Sequence, residues 1–232
     1  KTIDGGNNWT TQASGTTNDL RSVHFSGANT GFAVGDNGTI INTIDGGSNW
    51  TLQTSGSADI LFSVYFPDAN TGFIAGGAGV GGVGTFLKTT DGGSNWTGLT
   101  SGVTNDLYAV YFINTLTGYA VGGNVAGSGQ IILKTSDGGI NWTVQTSRTY
   151  YTLMSVYFPD ANTGYTVGEG GTILKTALTV TGTNPLCNGT NDGSVSAIPS
   201  FGTPSYTFLW NGGQTTSTVT GLPLGSYTVT VT

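Results

Sequence analysis

The sequence predicts an all-β chain: a fourfold repeat of four-stranded antiparallel sheets, then a small β-sandwich. Three observations carry that reading. The stretches TIDGGNNWT (2–10), TIDGGSNWT (43–51), TTDGGSNWT (89–97) and TSDGGINWT (135–143) are near copies, placing Asp4, Asp45, Asp91 and Asp137 at spacings of 41, 46 and 46 residues. Between these boxes lie short runs rich in Val, Ile, Phe, Tyr and Thr, separated by Gly, Asn, Asp and Pro turns, with no convincing helical stripe. Beyond Thr176 the boxes stop and a Thr/Val/Ser alternation takes over.

Each repeat reads as four strands. One follows the box Trp. The next ends 21 residues after the box Asp, in LRSVHF, LFSVYF, LYAVYF and LMSVYF, closed by Phe25, Phe66, Phe112 and Phe158. A polar turn leads into ANTGFAVG, ANTGFIAG, TLTGYAVG and ANTGYTVG, and a β-branched run (GTIINT, GTFLKT, QIILKT, GTILKT) precedes the next box. Four antiparallel strands per 40-odd residues, repeated, is the pattern of propeller blades. Two repeats carry five extra residues before that last run, in GGAGVGGVGT and GGNVAGSGQI. The final GTILKT runs into Ala177-Leu178, where a box would need Asp, so the last repeat lacks its outer strand. The N-terminal KTIDGGNNWT is expected to supply it, closing the ring and removing exposed edges. The chain then counts four blades over 1–176, with further blades upstream left open. Residues 177–232 offer LTVTGT, GSVSAIPS, YTFLWNGG, TSTVTGL and GSYTVTVT, an immunoglobulin-like sandwich.

Composition narrows the partners. With 6 basic and 12 acidic residues the net charge is −6, leaving no basic patch to release counterions from nucleic acid or to hold an anionic membrane. No apolar run approaches the roughly 18 residues of a membrane-inserted helix. The chain opens inside a repeat at Lys1-Thr2, so it reads as a fragment whose targeting segment would lie upstream.

The box itself admits two readings, a set of catalytic or metal-binding carboxylates or a turn used four times. T-x-D-G-G-x-N-W resembles the Asp-box, the hairpin repeat of sialidases, sortilin-type receptors and photosystem II assembly factors. The surrounding VxFxDxxxGFxVGxxGTIxxTxDGG, over 1–176, resembles the assembly-factor branch most closely. The resemblance implies a structural role for Asp4, Asp45, Asp91 and Asp137, each capping its own hairpin, with Trp9, Trp50, Trp96 and Trp142 packed under the turns. Elementary turn chemistry agrees: Asp in a tight turn bonds the backbone two residues on, and Gly-Gly supplies positive φ. Residues 187–232 resemble the repeat of SprB-type gliding-motility adhesins of Bacteroidota, in Cys187, Asp192-Gly193-Ser194, Tyr206 to Trp210, Asn211-Gly212, Leu222 and Gly225-Ser226-Tyr227. That resemblance implies a disulfide from Cys187 to a cysteine beyond Thr232.

The remaining candidates are few. His24 stands where three repeats have Tyr65, Tyr111 and Tyr157, and reads as a packed strand residue. Two arginines cannot make the three-arginine cluster familiar in sialidases, and no carboxylate pair of glycosidase type is marked out. Gly79 to Gly84 spell G-x-G-x-x-G, but between antiparallel strands rather than strand and helix. DGGSN lacks the further ligands of a calcium loop. The Asn-Trp-Thr triplets are explained by the box. No catalytic residue, metal site or cofactor is expected. The insertions should protrude side by side, and Gly77, Val80, Val83, Asn124, Val125 and Ser128 are the candidate binding-loop residues. The expected function is a noncatalytic extracellular or cell-surface binding or adhesion module, part of a larger secreted protein, taking a protein or glycan ligand. A carbohydrate-active propeller enzyme and an assembly chaperone are the alternatives.

Overall fold

The computed structural model describes residues 1–78, 83–123, 129–147, 149–176, 178–187, 189–199 and 206–231. The chain divides into two compact units, Lys1–Leu174 and Lys175–Thr232.

The first unit holds four antiparallel sheets, each a meander in which hairpin partners follow in chain order. Sheet one runs β1 (Leu20–Phe25), β2 (Gly31–Gly35), β3 (Ile40–Thr43) and β4 (Thr51–Gln53). Sheet two is β5 (Ile60–Tyr65), β6 (Gly72–Gly77), β7 (Gly84–Thr89) and β8 (Thr97–Thr100). Sheet three is β9 (Asp106–Phe112), β10 (Gly118–Gly123), β11 (Ile131–Thr135) and β12 (Thr143–Gln145). Sheet four has three strands: β13 (Leu153–Tyr157), β14 (Tyr165–Gly168) and β15 (Ile173–Lys175). The first strands stack in sequence, β1 on β5, β5 on β9 and β9 on β13, so they form the inner edge.

Burial follows from that stacking. β2 and β6, covered on both faces, are buried along their whole length. Phe32, Val34, Leu61, Val64 and Phe66 form one core between sheets one and two. Phe73, Phe86, Leu107, Phe112 and Leu133 form the next. The Gly of each T-G-F/Y is steric in origin. A Cβ on Gly72 would lie 2.4 Å from the Phe66 ring, and one on Gly118 would lie 2.6 Å from Phe112.

One expectation fails. The N-terminal segment does not complete sheet four: residues 1–13 form no strand, and β15 has no outer neighbour. Instead the Lys1 terminal amine donates to the Thr10 carbonyl and the Thr10 amide to the Lys1 carbonyl, both at 2.8 Å. The Lys1 ammonium lies beside Gly46, as Lys88 lies beside Gly138, so the hairpin sits against sheet one. Among the described residues β1 and β13 do not stack as β1 and β5 do.

The second unit has a three-stranded sheet, β16 (Leu178–Thr183), β17 (Gly193–Pro199) and β19 (Thr218–Leu222), and a two-stranded one, β18 (Phe208–Trp210) with β20 (Val229–Val231). Both contribute to a core of Ala197, Trp210, Val219 and Leu222. The Trp210 indole N–H is satisfied by the Thr216 carbonyl at 2.8 Å.

Candidate binding rim

The box carboxylates are spent within their own turns. In the second box Asp45 Oδ1 accepts from the Ser48 and Asn49 amides, both at 2.9 Å, and Oδ2 accepts from Asn49 Nδ2 at 2.7 Å. Asp4, Asp91 and Asp137 repeat the bonds to Asn8, Asn95 and Asn141. The amides served lie three and four residues on, not two. The two-residue bond belongs to the other polar turn, where Asp68 and Asp160 accept from Asn70 and Asn162, each at 2.8 Å. Gly46 and Gly47 supply the positive φ that the turn needs, at 68° and 82°. Donors facing the charged form pull Asp4, Asp45 and Asp91 down to about 2, the Asn side-chain amide contributing most. Asp137 is lowered by the same partners, led by the Asn141 backbone amide.

The box tryptophans are half-buried rather than core, and Trp9 is 74% exposed. Trp96 lies edge-on to Phe32 and Phe66, and Trp142 stacks on Phe86 at 4.3 Å. Trp9 lacks such a partner sheet, which is why it is bare.

A feature the sequence did not announce recurs at the start of every inner strand. The register of β1 with β2 slips between Leu20 and Ser22, and the same slip occurs between Leu61 and Ser63, Leu107 and Ala109, and Leu153 and Ser155. Each leaves one residue as a β-bulge: Arg21, Phe62, Tyr108 and Met154. A bulge re-aims its side chain. The glycine closing each facing strand permits it, since a Cβ on Gly35, Gly76, Gly122 or Gly168 would collide with the backbone carbonyl at the start of the inner strand. The repeated V/A-G is thus the sequence trace of the bulge.

The bulges share one rim with the β2–β3-type hairpins. The Asp36 amide donates to the Asp19 carbonyl at 2.9 Å, and the Glu169 amide to that of Thr152 at 2.9 Å. Along this rim Arg21 holds Asp36 in a two-point contact, Nε to Oδ1 at 2.8 Å and Nη2 to Oδ2 at 2.9 Å. That contact lowers the Asp36 pKa and raises that of Arg21. The Phe62 and Tyr108 rings meet at 4.8 Å. Burial, then the charges of Asp106 and Glu169, push the Tyr108 phenol up.

The candidate loop residues divide. Gly77 ends β6 and is buried, with no room for a Cβ beside Asp106, so it is a packing position rather than a loop tip. Val83 is exposed. Val80, Asn124, Val125 and Ser128 lie outside the described residues. The stems meet the bulge rim: Asn105 donates to the Gly129 carbonyl at 2.6 Å, and Gly123 abuts Thr152. His24 is half-buried against Tyr65, and Cys187 is exposed. Among the described residues, no group of three or more His, Cys, Asp or Glu side chains is placed to hold a metal ion, and no helix is long and apolar enough to cross a membrane.

Stacked antiparallel meanders joined by Asp-box hairpins, followed in the chain by a small two-sheet unit, define an Asp-box β-propeller chain with an appended β module. Residues 2–99 match the family described as photosynthesis system II assembly factor YCF48, and residues 179–215 match the SprB repeat. The fold is shared with a solved structure of YCF48 bound to D1 peptide, at a TM-score of 0.52 and 21% identity over 82% of this chain and 69% of that one. YCF48 from Cyanidioschyzon merolae gives 0.49 and 18% over 79% and 68%. A GH74 enzyme from Niastella koreensis gives 0.49 and 16% over 76% of this chain but 33% of that one. No curated protein matches the sequence.

Proposed function

We propose that the chain is a noncatalytic binding or adhesion module of a secreted, cell-surface protein, and that the bulge rim of the propeller is its binding face. The observation that carries this reading is the fourfold bulge. One backbone device presents four different side chains, a cation, two aromatics and a thioether, along one edge. A repeat that served packing alone would hold one residue type there, as it does at Phe66, Phe112 and Phe158. The box carboxylates, the most conspicuous acids of the sequence, are engaged in their turns and play no part.

A paired aromatic flanked by acidic groups suits a protein segment or a glycan, both of which lay apolar surface on aromatic rings while hydrogen-bonding at the edges. The SprB repeat supports a surface location, and the YCF48 neighbour carries a bound peptide. The match at 2–99 also favours a second reading, an assembly factor that holds a protein segment. It would use the same rim.

The test is a screen of the chain against peptide and glycan arrays, followed by titration of each hit with Phe62→Ala and Tyr108→Ala variants. At least a tenfold loss of affinity with an unchanged fold is expected. Hits that bind both variants as well as the parent chain would remove the rim from the interface, and turnover of any glycan would end the noncatalytic reading.

A further inference from the structure

The bulge rim carries more aromatic surface than the Phe62–Tyr108 pair. Tyr151 lies over the hairpin of sheet four, where a Cβ on Gly170 would be 2.7 Å from its ring, and it is 53% exposed. Tyr150 beside it is 84% exposed. The loop that carries both is anchored. Thr149 Oγ1, on a buried residue, accepts from the Tyr151 amide at 3.1 Å and shares a hydrogen bond with Thr172 Oγ1 at 3.3 Å. Rings held in place before a ligand arrives lower the ordering cost of binding. Thr17 and Thr104 hold the place of Tyr150 in sheets one and three, each three residues before the Leu that opens the bulge, and both are exposed. Sheet three has a sheet packed on either side, so this exposure belongs to the rim and not to an end of the chain.

These rings continue the row of bulges. Glu169 opens the hairpin under Tyr151 and is exposed. The Tyr108 phenol is pushed up by burial and then by the charges of Asp106 and Glu169, which puts the Glu169 carboxylate within reach of that ring. Phe62, Tyr108, Glu169 and Tyr151 therefore follow one another along the rim. Three features narrow what such a row can hold. Aromatic faces take flat apolar surface, and a carboxylate between them takes O–H or N–H donors at its edge. The inner-strand edge that an extended peptide would pair with is already engaged. The Val64 and Val110 amides donate to Ser22 and Ser63 Oγ at 3.3 and 3.2 Å, and the Phe158 carbonyl accepts from the Tyr111 hydroxyl at 2.9 Å. The rim arginine, Arg21, is held by Asp36 in a chain of net charge −6, which disfavours an anionic ligand.

We infer that this row binds a neutral polysaccharide, its sugar rings laid on Phe62, Tyr108 and Tyr151 and their hydroxyls donating to Glu169. The inference rests on the reading of the rim as the binding face and names the ligand class of that face. A pyranose has the required shape, an apolar face of ring C–H groups bounded by hydroxyls. It brings no charge for Glu169 to repel and needs no open strand edge. A uronate would set a second carboxylate beside Glu169, with Arg21 already occupied, so acidic sugars are disfavoured. Tyr150 extends the platform beyond Tyr151, which suits a chain of sugar residues rather than a single one.

Affinity electrophoresis tests this. The chain is run in native gels cast with xylan, mannan or mixed-linkage β-glucan, and with polygalacturonate as the acidic counterpart. At least one neutral polysaccharide should retard the chain, and polygalacturonate should not. Tyr151→Ala and Glu169→Ala change exposed residues, so both should keep the parent circular dichroism. Each should weaken the retardation about tenfold, the scale of a lost ring contact or a lost hydrogen bond to a charged group. Tyr151→Phe keeps the ring and should keep most of the binding. Retardation unchanged in Tyr151→Ala, retardation by polygalacturonate alone, or none by any of the three neutral polysaccharides would overturn the inference. The rim itself is judged separately. A peptide that binds the parent chain and loses affinity in Phe62→Ala and Tyr108→Ala would keep the rim as binding face while overturning the carbohydrate. A polysaccharide that binds all these variants as well as the parent would overturn both.

Discussion

Thr89 Oγ1 donates to Asp91 Oδ1 at 2.7 Å while accepting from the Gly93 amide at 2.9 Å, so one buried hydroxyl ties the carboxylate to the glycine turn. The same pair is Thr2 with Asp4, Thr43 with Asp45 and Thr135 with Asp137. Thr89 is 1% exposed, and its hydroxyl links the end of β7 to the hairpin.

Thr89→Val keeps the shape and removes the hydroxyl, leaving a buried amide and a carboxylate oxygen each short of a partner. Such losses cost about 1–3 kcal/mol. The expected result is a lowered urea midpoint with an unchanged slope, restored by Thr89→Ser. In the N-terminal hairpin, which packs against less, Thr2→Val should shift the midpoint far less. Equal shifts at the two positions would show that the box stabilises only its own turn.

Trp96 and Trp9 make a second contrast. Trp96 lies edge-on to two phenylalanines and is half-buried, so Trp96→Ala should cost about 2–3 kcal/mol, below the range of a fully buried aromatic. Trp9 is bare, and Trp9→Ala should leave the melt of the isolated chain within error. Thermal melts of both variants against the parent chain check the pair.

The repeats, the strands and the three-stranded last sheet were legible because each is written in local chemistry: β-branched runs, turn residues and an Asp at fixed spacing. The strands at Leu178–Thr183, Gly193–Pro199 and Thr218–Leu222 were legible for the same reason. The bulges were not. Arg21, Phe62, Tyr108 and Met154 share a repeat position but no residue type, and only the glycine on the facing strand marks the slip. The closing strand was misplaced because ring closure depends on the angle between sheets, a tertiary quantity with no signature in strand composition. Gly77 looked like a loop residue because glycine serves both tips and tight packing, and the Asp106 contact decides between them.

Acid should loosen the boxes before the sheets. Asp4, Asp45 and Asp91 have native pKa values of about 2, against about 3.9 in the unfolded chain. Lowered carboxylate pKa values give stability that is fully present above the unfolded value and is lost as pH falls through the folded one. The window is therefore roughly pH 4.5 down to 2. Urea midpoints measured across it should fall steadily, and hydrogen exchange at the Asn49 and Asn95 amides should lose protection in step with Asp titration. A midpoint flat from pH 4.5 to 2 would contradict the bonding described for these turns.

His24, the one histidine of the chain, gives the last expectation. Its ring packs on Tyr65 at 5.0 Å, and burial lowers its pKa below the ordinary value, with the Phe66 backbone bond offsetting part of the effect. A histidine lowered on folding binds its proton more readily in the unfolded chain. Its contribution to stability is therefore complete above about pH 6.5 and declines as pH falls through the folded pKa. The other three sheets carry tyrosine at this position, which stacks in the same column and has no imidazole to protonate. His24→Tyr should thus match or exceed the parent midpoint at pH 7.5, exceed it clearly at pH 5.5, and flatten the profile between them. Because there is one imidazole, its proton resonances report the native pKa directly and without assignment. Parallel pH profiles for the two chains, or a native pKa at or above 6.5, would show that the His24 ring is solvated rather than packed into the column.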